Sequence, residues 1–256
     1  MSRILLINPN TSVEMTAKMA AFVEAAVTAD RAGLPPGAAV DTVQAPFGPE
    51  YIEGDVDEAV AALAVAETVA SHAAGYDAFV IGCFSDPGLR AARELCRGKP
   101  AVGIAEASLL LAFSLGAGFS ILGATPDDGP IFRRLVRSYG LEGSLVSIRP
   151  AHLTIEQLAK SDPASLPALL RAAKQAVADG AGALCLGCAG MSGLGEAISR
   201  ELGVPVLEPV LSGLALAGLY LRLGLSHPTP AVFAQGRRRG YAPGFGKVLE
   251  GFYEGA

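Results

Sequence analysis

Short runs of β-branched and leucine side chains alternate along this chain with longer alanine-rich stretches in which apolar positions recur every three or four residues. Continuous apolar runs of this kind suit strands buried on both faces, and the periodic stretches suit the crossover helices between them. Strands are predicted at 4–7, 40–43, 78–81, 101–104, 119–122, 145–148, 183–186 and 205–207. Helices are predicted at 12–29, 55–74, 88–96, 107–115, 128–139, 166–179, 193–202 and 212–223. Thr11 or Ser12 can cap the first helix, with Glu14 in its first turn. The class is α/β, and eight strands suit either one barrel or two four-stranded halves.

Self-comparison separates the two. Laid over 183–210, the segment 78–105 matches at Ala78/Ala183, Gly82/Gly187, Cys83/Cys188, Gly88/Gly193, Leu89/Leu194, Ala92/Ala197, Gly98/Gly203 and Pro100/Pro205, eight identities in 28 ungapped positions. Both copies read as strand, Gly-Cys, short loop, helix, then a proline opening the next strand. A repeat of this length points to two similar α/β halves with mostly parallel four-stranded sheets related by a pseudo-twofold axis; a barrel needs a finer repeat.

Composition narrows the function classes. The 256 residues are 51% hydrophobic and 18% charged, enough apolar material for a sizeable core and too little charge for long disordered segments. A net charge of −5 argues against a broad phosphate-binding surface, so no nucleic-acid partner is expected. The uncharged stretch 107–124 is interrupted by Gly116 and Gly118 and reads as a buried helix followed by a buried strand, while 209–221 is too short to span about 30 Å of hydrocarbon. No membrane association is expected. The apolar start runs straight into Asn8, Pro9 and Asn10, unlike a signal peptide, which implies a cytoplasmic chain with free thiols. Glycine is in excess, at 31 residues, many of them directly after apolar runs where strands give way to loops.

The matched cysteines carry the chemistry. Cys83 and Cys188 each lie just beyond a strand's apolar run, at the carboxyl end where open α/β sheets bind ligands, and each precedes a helix whose N-terminus can lower a thiol's pKa towards neutrality. A pseudo-twofold axis would set them on opposite walls of a cleft. One could then take a proton from a carbon while the other returns one from behind, as stereoinversion requires. Cys185 and Cys188 also form a Cys-x-x-Cys, but residues three apart in a strand point to opposite faces, and His72, His152 and His227 are isolated. No metal site is expected. Cys96, closing a helix, reads as packing or surface.

Four ordered motifs, 7–12 (Ile-Asn-Pro-Asn-Thr-Ser), 82–89 (Gly-Cys-Phe-Ser-Asp-Pro-Gly-Leu), 102–107 (Val-Gly-Ile-Ala-Glu-Ala) and 186–191 (Leu-Gly-Cys-Ala-Gly-Met), resemble the hydantoin and allantoin racemase branch of the aspartate/glutamate racemase superfamily. The similarity runs to about residue 225. It implies a cofactor-independent racemase of two similar Rossmann-like (flavodoxin-like) domains, with Cys83 and Cys188 as catalytic residues between them. Acidic amino-acid racemases of the superfamily place polar neighbours beside their cysteines, whereas here the neighbours are Phe84-Ser85 and Ala189-Gly190. That suits a neutral planar ring. Candidate substrate contacts are Asn10, Thr11, Phe84, Ser85, Thr125, Ala189 and Gly190, with hydroxyl, amide and backbone N–H groups positioned to stabilise a developing enolate oxygen. The segment 207–210 departs from the family pattern, so that cleft edge is expected to be reshaped. The tail 226–256, with arginines at 237–239, is only partly family-like and its run reads as a solvated or subunit-contact feature.

The sequence reading is therefore a first domain of 1–104 plus 208–256, containing a returning C-terminal helix, and a second of 105–207. The expected reaction is inversion at C5 of a 5-monosubstituted hydantoin or of allantoin. A free aspartate or glutamate racemase, a single-cysteine decarboxylase or isomerase, and a non-catalytic binding protein stand as alternatives. Apolar helix faces and the resemblance favour a homo-oligomer.

Overall fold

The computed structural model describes residues 2–229 and 232–234; the arginine run at 237–239 and most of the tail lie outside the described residues. The chain begins β1 (Arg3–Asn8), α1 (Val13–Thr28), β2 (Ala39–Gln44), α2 (Asp55–His72), β3 (Ala78–Ile81), α3 (Leu89–Leu95), β4 (Ala101–Gly103). α4 (Ile104–Ser114) leads into a second series: β5 (Phe119–Gly123), α5 (Asp128–Ser138), β6 (Leu145–Pro150), α6 (Ile155–Ala159), α7 (Ser165–Ala178), β7 (Ala183–Leu186), α8 (Gly195–Leu202), β8 (Val206–Leu207) and α9 (Pro209–Leu223). The series form two four-stranded sheets of the same order, β2-β1-β3-β4 and β6-β5-β7-β8, with every pairing parallel. The duplication seen in sequence is thus a duplication of topology, with β3 and β7 in equivalent positions.

Burial follows from this order. The interior strands β1, β3, β5 and β7 are covered by helices on both faces, and their side chains are buried almost without interruption. The outer strands β2, β6 and β8 are only partly buried. α4, which leaves β4, packs against β7 and β8, while α9, which leaves β8, packs back on β3 and β4, and the two helices lie against each other. The largest apolar cluster joins Ile4, Leu6 and Met19 to Leu184 and Leu186, so one core runs through both sheets.

Three elements differ from the sequence expectation. α4 starts at Ile104, three residues before the predicted 107, because the Asp86 carboxylate receives the N–H groups of Ala105 (3.0 Å) and Glu106 (2.8 Å) and so caps the earlier turn. α9 starts at Pro209 instead of 212, with the proline in the first turn where its missing N–H costs nothing. The short α6 was not predicted. Its Thr154 and Gln157 make a reciprocal capping box, a signal present in the sequence.

Candidate active site

In each sheet the chain's strand order reverses between the two central strands, β1/β3 and β5/β7, and the crevice beyond their carboxyl ends is where such sheets bind ligands. The loops leaving these four ends meet in one cleft of about 600 Å³, its open mouth included. From the first sheet come Asn8 and Asn10 after β1 and the segment 82–85 after β3; from the second come Asp128 at the start of α5 and 187–189 after β7. Cys83 and Cys188 both line it. Apolar walls are supplied by Met15, Ile52, Ile131, Phe132 and Ile155. No lysine, arginine or histidine among the described residues lines this cleft.

The two thiols sit in related settings. Each follows a glycine whose N–H donates to the neighbouring central strand, Gly82 to Ile7 O (2.7 Å) and Gly187 to Leu122 O (2.9 Å). A Cβ on Gly187 would lie 2.7 Å from Leu122 O, so close strand packing requires glycine there, while one on Gly82 would lie 3.0 Å from Ile7 O and 2.4 Å from the movable Met19 methyl. Cys83 Sγ is 3.5 Å from Ser85 Oγ, whereas Cys188 Sγ accepts the N–H of Gly190 (3.4 Å) at the start of a single 3-10 turn.

Both thiols depart from the sequence expectation in their acidity. Burial pushes Cys83 up to about 11, against the pull of Ser85, and Cys188 up to about 12, against the pull of the Gly190 N–H. Desolvation of a buried anion outweighs the few donors aimed at it. An ionised Cys83 would also oppose ionisation of Cys188, while Lys18 favours it. Cys185 is fully buried against the second sheet's core, and its thiol is 3.8 Å from Ser108 O, facing away from the cleft as strand alternation predicts. Cys96 is buried too, its Sγ donating to Lys99 O at 2.8 Å.

The cleft gathers Asn10, Phe84, Ser85 and Ala189 of the sequence-expected contacts. Thr11, Thr125 and Gly190 stand just behind it. Thr11 bonds Pro49 O through both N–H (3.0 Å) and hydroxyl (3.2 Å), Thr125 is folded onto Asp128 Oδ1 (3.3 Å), and the Gly190 carbonyl accepts from Lys18 Nζ (2.6 Å). Phe84 is 1% exposed and packs edge-on against Phe132, with ring centroids 5.3 Å apart, inside the cluster built on β5 and β7. The residue after Cys83 thus anchors that loop to the opposite half. Glu208, in the segment expected to reshape the cleft edge, lies outside the cleft and receives the N–H groups of Gly193 (3.2 Å) and Gly195 (2.7 Å).

Three polar residues lining the cleft were not singled out in the sequence. Asn8 Nδ2 donates to Asn10 Oδ1 (2.8 Å) and Thr16 Oγ1 (2.9 Å), and Asn10 Oδ1 also receives Ser12 N (3.0 Å). Asp128 Oδ2 receives the N–H groups of Ala124 (2.6 Å) and Thr125 (3.0 Å). Glu58 projects from α2, and burial raises its carboxyl while Ser85 and Arg134 act to lower it. Asn8 was legible as part of the first motif, but Glu58 carried no local signal, because it comes from a helix far from either cysteine in sequence.

Contacts between the halves surround the cleft. Lys18 on α1 donates to Leu158 O (2.5 Å) and Gly190 O (2.6 Å), and Arg134 on α5 pairs with Asp55 on α2.

Residues 4–217 match the family model described as Asp/Glu/Hydantoin racemase. A hydantoin racemase of Paenarthrobacter aurescens is 38% identical over 225 residues, 87% of this chain and 92% of that protein. Among solved structures, an allantoin racemase from Klebsiella pneumoniae superposes with a TM-score of 0.89 at 32% identity, over 97% of this chain and 99% of that one. An allantoin racemase from Pseudomonas fluorescens gives 0.86 at 29%, over 94% and 99%. Through fold, motifs and full-length similarity together, the chain belongs to the Asp/Glu/hydantoin racemase family and is an isomerase of racemase type.

Proposed function

We propose that this protein inverts C5 of a 5-monosubstituted hydantoin, or of allantoin, by proton transfer between Cys83 and Cys188. One thiolate removes the C5 proton, the electron pair passes onto the adjacent carbonyl oxygen as an enolate, and the opposite thiol delivers its proton to the other face. The thiol that was base leaves the cycle protonated and the other ionised, so the roles exchange with the substrate enantiomer. The chain supplies both proton-transfer groups, and the scheme calls on no cofactor or metal. Asn10, Ser85 and the backbone N–H groups beside the two cysteines are the donors assigned to the enolate oxygen, with Ala189 and Phe84 as apolar walls; Thr11, Thr125 and Gly190 shape the loops behind them.

The observation that carries this reading is a cleft lined by two symmetry-related thiols and no cationic side chain among the described residues. A free amino acid brings a carboxylate that wants a cation. The nearby Lys18 is held by two carbonyls. A neutral ring with N–H donors and an apolar substituent fits the carboxylate and isoleucine lining better than aspartate or glutamate does. Similarity to a hydantoin racemase and to allantoin racemases points the same way.

The same reading divides the chain into 1–104 plus 208–256 and 105–207, in keeping with α9 packing on β3 and β4. All four cysteines are unpaired, which suits a cytoplasmic setting, and among the described residues no helix is long and apolar enough to cross a membrane. Exposed Leu110, Phe113 and Leu115 on and after α4 suit a homo-oligomer.

The deciding experiment follows one enantiomer of a 5-alkylhydantoin in heavy water by C5 deuteration and optical rotation. Exchange accompanied by loss of rotation is expected. Absence of exchange with hydantoins and allantoin, or activity confined to aspartate or glutamate, defeats the reading.

A further inference from the structure

Polar groups that line the cleft are mostly spoken for within the protein. Asn8 and Asn10 bond each other and the start of α1, and both oxygens of Asp128 receive donors from 124–125. Glu58 is the exception: its Oε1 is buried and meets no hydrogen-bond donor among the described residues. Leaving a buried acceptor unmade carries the full desolvation penalty of the group, so such an atom in a ligand cleft points to a donor that arrives with the ligand. The surroundings locate that donor. Glu58 lines the same cleft as Ser85 and Cys83, which stand 3.5 Å apart through Oγ and Sγ, and its charge opposes ionisation of Cys83, so the Glu58 carboxyl lies on the Cys83 side of the cleft.

We propose that Glu58 is a substrate-binding residue whose carboxylate accepts the ring N1–H of the hydantoin, the N–H bonded directly to the reacting carbon. The proposal rests on the hydantoin reading above. With C5 presented to Cys83, N1 is the ring nitrogen adjacent to it, while N3 lies across the ring. Glu58 orients the ring and leaves the enolate oxygen to other donors, since its own charge would oppose the charge developing there. It therefore sets specificity for rings carrying a free N1–H, and a free amine also has a donor but lacks the flat ring that the cleft walls enclose.

The test compares a 5-alkylhydantoin with its N1-methyl and N3-methyl analogues, in wild type, Glu58→Ala and Glu58→Gln, reading C5 exchange. In wild type, N1-methylation should lower kcat/KM about tenfold or more, the equivalent of one lost hydrogen bond, and N3-methylation much less. Glu58→Ala should lose a similar factor on the parent ring, chiefly through KM, and lose the N1 discrimination. Glu58→Gln, which keeps an acceptor oxygen, should bind the parent nearly as wild type does. Equal rates for the two methylated rings in wild type overturn the proposal without any variant having to fold. So does an alanine variant that slows all three rings alike.

Binding of 5,5-dimethylhydantoin, which has no C5 proton, is measured in parallel by calorimetry. About tenfold weaker binding in Glu58→Ala supports the assignment even where no exchange is seen, so a failure of the racemisation reading is distinguishable from a failure of the Glu58 contact. No binding by wild type, or equal binding by the alanine variant, overturns the proposal.

Discussion

The hydroxyl of Tyr139, at the end of α5, donates a 2.6 Å hydrogen bond to Oδ2 of Asp86, three residues beyond Cys83. Asp86 adopts a positive φ of 48° and also receives Ala105 N and Glu106 N, so one buried carboxyl ties the Cys83 loop to the start of α4 and to the opposite half. Burial pushes this carboxyl from an ordinary 3.8 up to about 7, against the pull of its three donors. Between these values the native state holds a proton that the unfolded chain has released. The contribution of Asp86 to stability therefore falls as pH rises through that window and is level above it. Tyr139→Phe removes a donor that favours the charged form, which raises the folded value further. The expected cost is about 1–2 kcal/mol at pH 8 and less at pH 5, read from urea unfolding at the two pH values.

Acidity of the cysteines gives a second prediction. With Cys83 near 11 and Cys188 near 12 in the free protein, both are thiols at neutral pH, yet the two-cysteine reaction needs one thiolate. The reactive fraction should rise about tenfold per pH unit until the first of these values is approached. Log kcat/KM for racemisation should accordingly climb with a slope near one from about pH 7 to 10, and iodoacetamide should alkylate the free protein with the same dependence. A plateau beginning near pH 8 in both measurements would show that donors in the cleft outweigh desolvation.

Cys83→Ser and Cys188→Ser each remove one of the two proton-transfer groups and change little else in size. A positioned acid or base is worth about 100- to 10,000-fold, and racemisation needs both faces served, so each variant should lose at least that much in kcat for either enantiomer. Optical rotation on single enantiomers measures it. Full activity in either variant would falsify the two-cysteine mechanism, whereas Cys185→Ala, in the core, should affect stability and leave the pH profile of kcat unchanged.

Much of this architecture was legible in the sequence because it depends on repeating local signals. Continuous apolar runs marked β1, β3, β5 and β7, and the repeated Gly-Cys placed both thiols at the ends of equivalent strands. What the sequence hid depends on long-range packing. Nothing near Asp86 says that its carboxylate will start α4 at Ile104, and nothing near Phe84 says that its ring will lodge against Phe132 in the other half. The acidity of the thiols failed for the same reason: a helix N-terminus is a local feature, while desolvation by two packed halves is not. Glu58 went unseen because a lone glutamate near the start of an acidic helix looks like surface charge until the fold brings it to the wall of the cleft.

Gly103, the last residue of β4, tests that long-range packing directly. A Cβ built there would lie 2.1 Å from Cγ of Asp86 and 2.3 Å from both of its oxygens. Those atoms are not a flexible end: the carboxylate is held by Tyr139 and two backbone N–H groups, so it can yield only by breaking them. Gly103→Ala should therefore cost about 3 kcal/mol or more, the sum of overpacking and unmade buried hydrogen bonds, and lower kcat by displacing the loop that carries Cys83. Gly129, in the first turn of α5, has open space around its Cβ position and an ordinary helical backbone, so Gly129→Ala should be neutral or stabilise by about 0.5–1 kcal/mol. Urea midpoints and kcat for the pair separate a specific clash at Asp86 from a general intolerance of glycine replacement. If Gly103→Ala unfolds at the same midpoint as Gly129→Ala, the Asp86 carboxylate is not the fixed bridge between the Cys83 loop and α4.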